Sequence, residues 1–152
     1  MATDARCSII IPVLNDAQAL LPLLSSLQPL RKLGHEVLVV DGGSDDDSEG
    51  IANSLADKFL CCSRGRARQM NFGAALAEGD VFWFLHADSE IDAMQCPKPI
   101  ISLLSTDKVW GFFDIRLSGK DRRLRLVEKM MNLRSRLTGI ATGDQGIFIK
   151  RD

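Results

Sequence analysis

Strand-type and helix-type segments alternate through the first 85 residues, and this order constrains the fold more than any other feature of the chain. The strand-type segments are 7–13, 36–40, 58–62 and 81–85, and the helix-type segments between them follow Asp16, Ser48 and Gly65. A helix that connects two strands of one sheet makes a right-handed crossover and leaves the strands parallel. The sequence therefore predicts a three-layer α/β/α fold with a mainly parallel central sheet.

The rest of the chain carries weaker patterns of the same kinds. The expected elements are a helix over 97–105, a strand over 109–117, a helix over 120–137 and a strand over 146–150. A chain of this length can bury about two-thirds of its unfolded surface around one core. We therefore expect a single domain that spans residues 1–152.

Composition bears on where the protein works. Its apolar runs are shorter than the roughly 20 residues that span a bilayer. The first six residues lack the basic and then apolar layout of a signal peptide. The four cysteines lack metal-ligand spacing, and Cys7 and Cys61 fall in apolar strands, where small buried hydrophobic residues are expected. These features predict a protein of the reducing cytoplasm.

Charge is unevenly distributed along the chain. Residues 1–60 hold nine acids and four bases, whereas residues 61–152 hold eleven acids and fifteen bases. A basic second part suits an anionic ligand or an anionic membrane surface. The excess is small and has no aromatic stacking platform beside it, which argues against a nucleic-acid-binding protein.

Polar side chains follow predicted strands at their carboxyl ends, where ligands of open α/β sheets bind. His86 and Asp88 follow the strand over 81–85, and side chains two apart on an extended backbone point to the same side. Asp41 ends the second strand, and Gly43 behind it lets the backbone approach a ligand closely. These residues mark a candidate pocket.

Structural interpretations of the same polar residues stay open. Asp16 can cap the first helix, and the acids at 45–47 can belong to a polar turn with a helix cap, because their spacing does not fit a calcium loop. His86 can be satisfied within the edge of the sheet. Gln69 can be a hydrogen-bonding residue at a helix start.

Five short motifs occur in sequence order. They are Ser8–Asp16, Val39–Ser44, Gly65 with Asn71 and Gly73, Gly79–Asp88, and Gly143–Gly146. Together they resemble the motifs of the inverting family 2 glycosyltransferases of the GT-A fold. The Phe-Leu-His-Ala-Asp motif resembles that of a bacterial subgroup of this family. The resemblance implies a hexosyltransferase-like enzyme that moves a sugar from a nucleotide-diphosphate donor to an acceptor hydroxyl with inversion.

The resemblance also implies where the donor binds, with a UDP-sugar favoured. The residues assigned to nucleotide-sugar binding are Pro12, Asn15, Asp41, Gly43, Arg66 and Asn71. Family members often carry an arginine immediately before the asparagine, where this chain has Met70. Arg66 or Arg68 can take its place, because guanidinium groups at a helix start attract phosphate. Ordinary surface arginines are the other interpretation.

Three further residues receive roles from the resemblance. Asp88 corresponds to the last acid of the family's metal motif and would bind Mn²⁺ or Mg²⁺ together with the diphosphate. His86 stands where an acid is usual, and it can ligate manganese or donate to phosphate. Asp144 would be the catalytic base that takes the acceptor's proton. A turn flanked by glycines is the structural alternative for Asp144.

Other classes of protein fit the sequence less well. A sugar-phosphate nucleotidyltransferase should have a Gly-Gly-x-Gly-Thr loop where this chain has Pro12–Asn15. A dinucleotide oxidoreductase should have Gly-x-Gly-x-x-Gly after the first strand. Since family members usually continue with acceptor-side elements, we expect this chain to lack them. A nucleotide-sugar-binding domain that does not turn over alone is therefore the main rival.

The predicted helix over 120–137 is basic and amphipathic. Its seven Lys and Arg outnumber Asp121 and Glu128. The apolar residues at helical spacing are Leu126, Met130, Leu133 and Leu137, with Val127 and Met131 beside them. Two interpretations remain: the apolar side packs on the sheet while the charges are solvated, or the helix lies peripherally on the inner face of a membrane.

Overall fold

The computed structural model describes residues 5–92 and 95–151, with the backbone alone for Asp144. Within these residues the strands form one sheet in the order β3-β2-β1-β4-β6-β5. The strands are β1 (Cys7–Val13), β2 (Glu36–Asp41), β3 (Lys58–Cys61), β4 (Val81–Phe84), β5 (Trp110–Gly111) and β6 (Phe148–Lys150). The first four are parallel, and β6 is antiparallel to both β4 and β5. The predicted mainly parallel α/β sheet is confirmed.

Helices cover both faces of this sheet. They are α1 (Ala17–Lys32), α2 (Ser48–Leu55), α3 (Arg66–Leu76), α4 (Pro97–Ser102) and α5 (Arg122–Thr138), with 3-10 turns at Leu103–Ser105 and Gly143–Gln145. Ile9 and Ile11 of β1 pack in the core beneath α1, α2 and α4, whereas Ile10 packs with residues of α3 on the opposite face. Side chains alternate between the faces of a strand, so a run of isoleucines serves both layers.

Strand order places a switch point at the centre of the sheet. From β1 the chain moves outward to β2 and β3, and it then returns to the other side of β1 with β4. The loops after β1 and β4 therefore diverge at their carboxyl ends and leave a crevice, which is where ligands of such sheets bind.

The second half of the chain differs from the prediction at β5. The strand expected over 109–117 shrinks to Trp110–Gly111. Beyond it the backbone leaves the sheet and bonds to α5: the Ile115 N–H donates to Asn132 Oδ1 at 2.9 Å, and Asn132 Nδ2 donates to the Ile115 carbonyl at 2.9 Å. An alternating apolar pattern cannot show that a helix side chain replaces the neighbouring strand as hydrogen-bond partner.

The orientation of α5 rules out one of the two interpretations of this helix. Its apolar side does not pack on the sheet, because Met130 and Leu137 are exposed. Polar residues face the protein instead: the Leu117 N–H donates to Glu128 Oε2 at 3.1 Å, and Ser135 is buried. Periodicity reveals that a helix has an apolar face, but it does not reveal which way that face points.

A buried carboxylate on β2 joins the neighbouring strands β1 and β3 and the loop before β4. Glu36 of β2 accepts hydrogen bonds from Ser8 Oγ at 2.5 Å and from the Glu78 N–H at 2.9 Å, and it pairs with Lys58 Nζ at 2.8 Å. Burial alone would raise the pKa of Glu36, but the bonds from Glu78, Lys58 and Ser8 outweigh it and hold that pKa below its ordinary value. Glu36 therefore stabilises the fold as an anion.

Candidate active site

The loops that follow β1 and β2 are bonded to each other through Asp41 and Asn15. The Asp41 carboxylate is buried and accepts the N–H groups of Gly43 at 2.8 Å and Ser44 at 2.9 Å, as well as the Ser44 hydroxyl. The Asn15 N–H donates to Ser44 Oγ at 2.8 Å, and Asn15 Oδ1 accepts the Asp45 N–H at 2.7 Å. Three of the six residues predicted to bind the nucleotide, Asn15, Asp41 and Gly43, thus lie in one hydrogen-bonded polar corner.

Helix capping in this corner crosses between the two loops. Asp16 lies at the N-cap position of α1, but its side chain accepts no capping bond within the described residues. The Ala17 N–H donates instead to Asp46 Oδ2 at 2.8 Å, and Asp46 also accepts the hydroxyl of Ser48. Bonds from Ser48 and Ala17 lower the pKa of Asp46. The capping interpretation therefore holds for Asp46 and is wrong for Asp16.

Gln69 fixes the start of α3 against the ends of β1 and β2. Its buried Nε2 donates to the carbonyls of Val13 and Val40, each at 2.8 Å. One turn later the helix touches the sheet so closely that a Cβ on Gly73 would lie 2.6 Å from Ile10. The sequence indicated only a hydrogen-bonding residue at a helix start. The Gln69 amide in fact bonds to carbonyls of two strands, which come together only in the folded sheet.

The loop after β4 forms a turn. Strand β4 ends at Phe84, the His86 N–H donates to Ser89 Oγ at 3.1 Å, and the Ser89 N–H donates back to the His86 carbonyl at 3.1 Å. The extended backbone expected at His86 and Asp88 is therefore wrong. Both residues nevertheless line one cavity of about 980 Å³, and Asp88 is exposed in it.

That cavity lies between the β4 turn and the chain that leads into α5. Its wall includes Trp83 and Phe113 on the apolar side, whose ring centroids are 5.7 Å apart. Gln145 and Gly146 also line it. The polar corner around Asp41 lies outside this lining, at the neighbouring strand ends.

Arg66 and His86 meet at Gly143. A Cβ built on Gly143 would lie 3.3 Å from Arg66 Nη2 and 3.5 Å from His86 Nε2. The first turn of α3, the β4 turn and the 143–146 segment therefore converge, although they are distant in sequence. Asn71, on the exposed side of α3, has no described contact in this group.

The segment 142–146 is held rigidly beside the cavity. Gln145 is buried, and its Oε1 accepts the Thr142 N–H at 2.7 Å and the Ser135 hydroxyl at 2.9 Å. Gly146 follows in a left-handed conformation with φ 55°. The side chain of Asp144, the predicted base, lies outside the described residues, so the structure places its backbone only.

The donor atoms at the β4 turn fit a divalent cation. Asp88 supplies an exposed carboxylate and His86 an imidazole, and both are ligand types that manganese accepts. Within the described part of the chain no group of three or more His, Cys, Asp or Glu side chains could hold a metal alone. Such a site suits a cation that takes its remaining ligands from phosphate oxygens and water.

Comparison with known sequences identifies relatives. The sequence model of glycosyl transferase family 2 matches residues 8–149. An uncharacterised glycosyltransferase of Mycobacterium tuberculosis is 31% identical over 80% of this chain and 50% of its own length. The undecaprenyl-phosphate 4-deoxy-4-formamido-L-arabinose transferase of Pseudomonas fluorescens is 30% identical over 94% of this chain and 45% of its own. The chain thus spans about half the length of these relatives.

Solved structures share the fold. Glucosyl-3-phosphoglycerate synthase from Mycobacterium tuberculosis, in complex with Mn²⁺, UDP and glucosyl-3-phosphoglycerate, gives a TM-score of 0.68 at 18% identity, over 96% of this chain and 57% of that chain. A mannosyltransferase from Pyrobaculum calidifontis, in complex with GDP-Man and Mn²⁺, gives 0.68 at 22% identity, over 96% and 44%. With the family match over 8–149, these comparisons show that the chain belongs to glycosyl transferase family 2 and has its GT-A fold.

Proposed function

We propose that this domain takes part in metal-assisted, inverting transfer of a sugar from a nucleotide-diphosphate donor, with a UDP-sugar favoured, to an acceptor hydroxyl. The observation that carries the proposal is the convergence of Arg66, His86 and Gly143 beside the cavity that Asp88 lines. Such a transfer needs a bound cation, a helix start that binds the diphosphate and a base. The β4 turn, the start of α3 and the 143–146 segment are the predicted sources of these three groups.

The donor's nucleoside would occupy the corner after β1 and β2. Pro12, Asn15, Asp41 and Gly43 lie at these strand ends, and a Cβ built on Gly43 would meet nothing within 4 Å, which leaves its backbone open to a ligand. The diphosphate would lie at the start of α3, where Arg66 and the helix N-terminus both favour negative charge. Asn71 stays a predicted donor-binding residue.

Asp88 and His86 would hold the cation. When bound, Mn²⁺ or Mg²⁺ neutralises charge on the departing nucleoside diphosphate. Asp88 would anchor it as an anionic oxygen ligand, and the turn bonds between His86 and Ser89 would keep both side chains at the cavity. Arg66 would bring a further positive charge to the same end.

Asp144 would act as the base. Its carboxylate would take the proton of the acceptor hydroxyl while that oxygen bonds to the anomeric carbon. The bond from that carbon to the diphosphate oxygen would break on the opposite face, which gives inversion and an oxocarbenium-like transition state. Gln145 supports this role, because its buried amide fixes the turn that carries Asp144.

A thermal-shift screen of nucleotide sugars, with and without Mn²⁺, tests the donor half of the proposal. A ligand at about 100 times its Kd stabilises a protein by about 2.7 kcal/mol. We expect UDP and a UDP-sugar to raise the melting temperature when Mn²⁺ is present. Equal stability with every nucleotide, with and without the metal, would contradict the proposal. Hydrolysis of the bound donor, assayed alongside, separates a competent enzyme from a domain that only binds.

A further inference from the structure

The outer face of α5 is apolar and uncovered in this structure. We define the α5 face as Leu126, Met130, Leu133 and Leu137 with the charges beside them. These four side chains are exposed by 58 to 76%. Leucine and methionine four or three residues apart share one side of a helix, so the four form a continuous stripe. A large exposed apolar patch on a protein marks an interaction surface.

Polar contacts account for how α5 is attached. Glu128 accepts the Leu117 N–H, Asn132 is bonded twice to Ile115, and Ser135 donates to Gln145 at 2.9 Å. These residues occupy the side opposite the stripe, at helical positions roughly half a turn away. The domain therefore needs the polar side of α5 for its own contacts and leaves the apolar stripe available.

Positive charge accompanies the stripe. Five cations of α5 are exposed: Arg136 pairs with Asp114, and the other four are Arg122, Arg123, Lys129 and Arg134. At 100° per residue, Arg123 and Arg134 flank the stripe on one side and Arg122 and Lys129 flank it on the other, each about 20–40° beyond its edge. The acid of α5, Glu128, faces inward and pairs with Arg125 at 2.6 Å. Among the described residues of α5, the outer face thus combines apolar side chains with cations and no acid.

We propose that the α5 face binds the surface of an anionic lipid membrane. The apolar stripe would enter the boundary between headgroups and acyl chains, and the cations would meet lipid phosphates, as in interfacial amphipathic helices. A second copy of the chain fits less well, because a symmetric contact would bring the same four cations together. Within the described chain no helix has the length and apolarity to cross a bilayer, so this contact would be peripheral.

Vesicle flotation tests this contact. Wild-type protein is mixed with vesicles of phosphatidylcholine or of phosphatidylcholine with phosphatidylglycerol. We expect binding to the anionic vesicles only, and weaker binding as salt screens the cations. Replacing both Lys129 and Arg134 with Gln should weaken binding about 25-fold, since each cation near an anionic surface contributes about a fivefold factor. Met130→Glu should abolish binding by placing a carboxylate in the stripe.

Matched variants elsewhere on the protein distinguish vesicle binding by the α5 face from nonspecific binding by any exposed apolar residue. Leu33, at the end of α1, is exposed by 63%, as is Met130. Leu33→Glu and Lys32→Gln should therefore leave vesicle binding unchanged, and circular dichroism checks that all variants stay folded. Equal binding to neutral vesicles, no binding to anionic ones, or equal losses in the control variants would overturn the proposal. Self-association that Met130→Glu removes, without vesicle binding, would assign the face to a second copy instead.

Discussion

Single residues of the candidate site fall into two groups. Asp41 bonds within its own loop and Asn15 bonds to the loop after β2, so their polar atoms hold the corner in shape. Asp88 and Arg66 are exposed, and their charges are directed to solvent or ligand. A charge exposed in a cavity can change partner with little cost, whereas a buried bonded carboxylate cannot. The exposed pair should therefore respond most directly to a bound diphosphate.

Asp88→Ala should abolish metal-dependent nucleotide binding. The substitution removes the anionic ligand that the β4 turn offers to a cation, and it leaves the buried core intact because Asp88 is exposed. Titration of UDP in the presence of Mn²⁺ by calorimetry measures the effect. Asp107→Ala removes an exposed acid that does not line the cavity and should keep wild-type affinity. Wild-type affinity in Asp88→Ala would refute the metal assignment.

Asp144→Asn should spare nucleotide binding and remove transfer. Asparagine keeps the size of the side chain but cannot accept the acceptor's proton, and loss of a general base costs about 10²- to 10⁴-fold in rate. Single-turnover transfer and UDP titration on the same preparation give the two readouts. Full transfer activity in this variant would show that another group is the base.

At the level of elements, prediction succeeded where burial dictates the pattern. β2 is buried throughout and β1 at every residue except Pro12, and their runs of Ile, Val and Leu identified them to within a residue. The strand predicted over 109–117 was too long, because part of this segment bonds to a helix side chain, Asn132. The orientation of α5 stayed open because its inward contacts are polar and leave no apolar signal. Partners that lie far away in sequence leave no local signal, and Gln69 was underestimated for the same reason.

Gln69→Leu should lower the free energy of unfolding by about 1–3 kcal/mol, since it removes two buried hydrogen bonds, to the carbonyls of Val13 and Val40, that contribute about 0.5–1.5 kcal/mol each. The loosened start of α3 should also reduce nucleotide affinity. Urea denaturation followed by circular dichroism measures the first effect. Asn53→Leu, an exposed amide on α2, is the control and should change stability little. Equal effects of the two variants would contradict the anchoring role.

Glu36→Gln should destabilise the fold by about 3 kcal/mol at neutral pH, as expected when one partner of a buried pair is removed. Because the folded-state pKa of Glu36 is lowered, this stabilisation is present above the unfolded-state value of about 4.3 and is lost as pH falls through the folded-state pKa. Urea denaturation over a pH series should show the two proteins converging in acid.

Glu78→Gln is the matched control for that series. Glu78 pairs with the same Lys58 at 2.7 Å, but its side chain is 62% exposed. Exposed ion pairs contribute about 0–1 kcal/mol, so this variant should stay close to wild type at every pH. A gap between wild type and Glu36→Gln that widens in acid would contradict the assigned direction of the pKa.

At the scale of the whole molecule, burial from solvent decreases strongly from the centre of the sheet to its edge. Cys7 on β1 is buried in the main core, as the sequence predicted, whereas Cys61 at the end of the edge strand β3 is exposed, contrary to its apolar context. An apolar strand at a sheet edge is only half covered, and edge position depends on strand order, which the local sequence does not encode.

Thiol labelling should report this gradient. Burial raises the pKa of the Cys7 thiol well above its ordinary range, so Cys7 should react only through unfolding of the entire sheet. Cys61 should react within the native state. Pulse labelling with iodoacetamide at increasing urea, read by mass spectrometry, gives the exposure of each thiol. Native-state labelling of Cys7 as fast as that of Cys61 would contradict a rigid centre.

The antiparallel pairing of β6 with β4 has a kinetic consequence. It aligns Phe148 with Trp83 and so carries the 143–146 segment to the β4 turn from far along the chain. The polar corner around Asp41 needs only contacts within the first half of the sequence, and contacts between residues that are close in sequence form faster. During folding we therefore expect the polar corner to form first and the backbone position of Asp144 to be set last, when β6 joins the sheet.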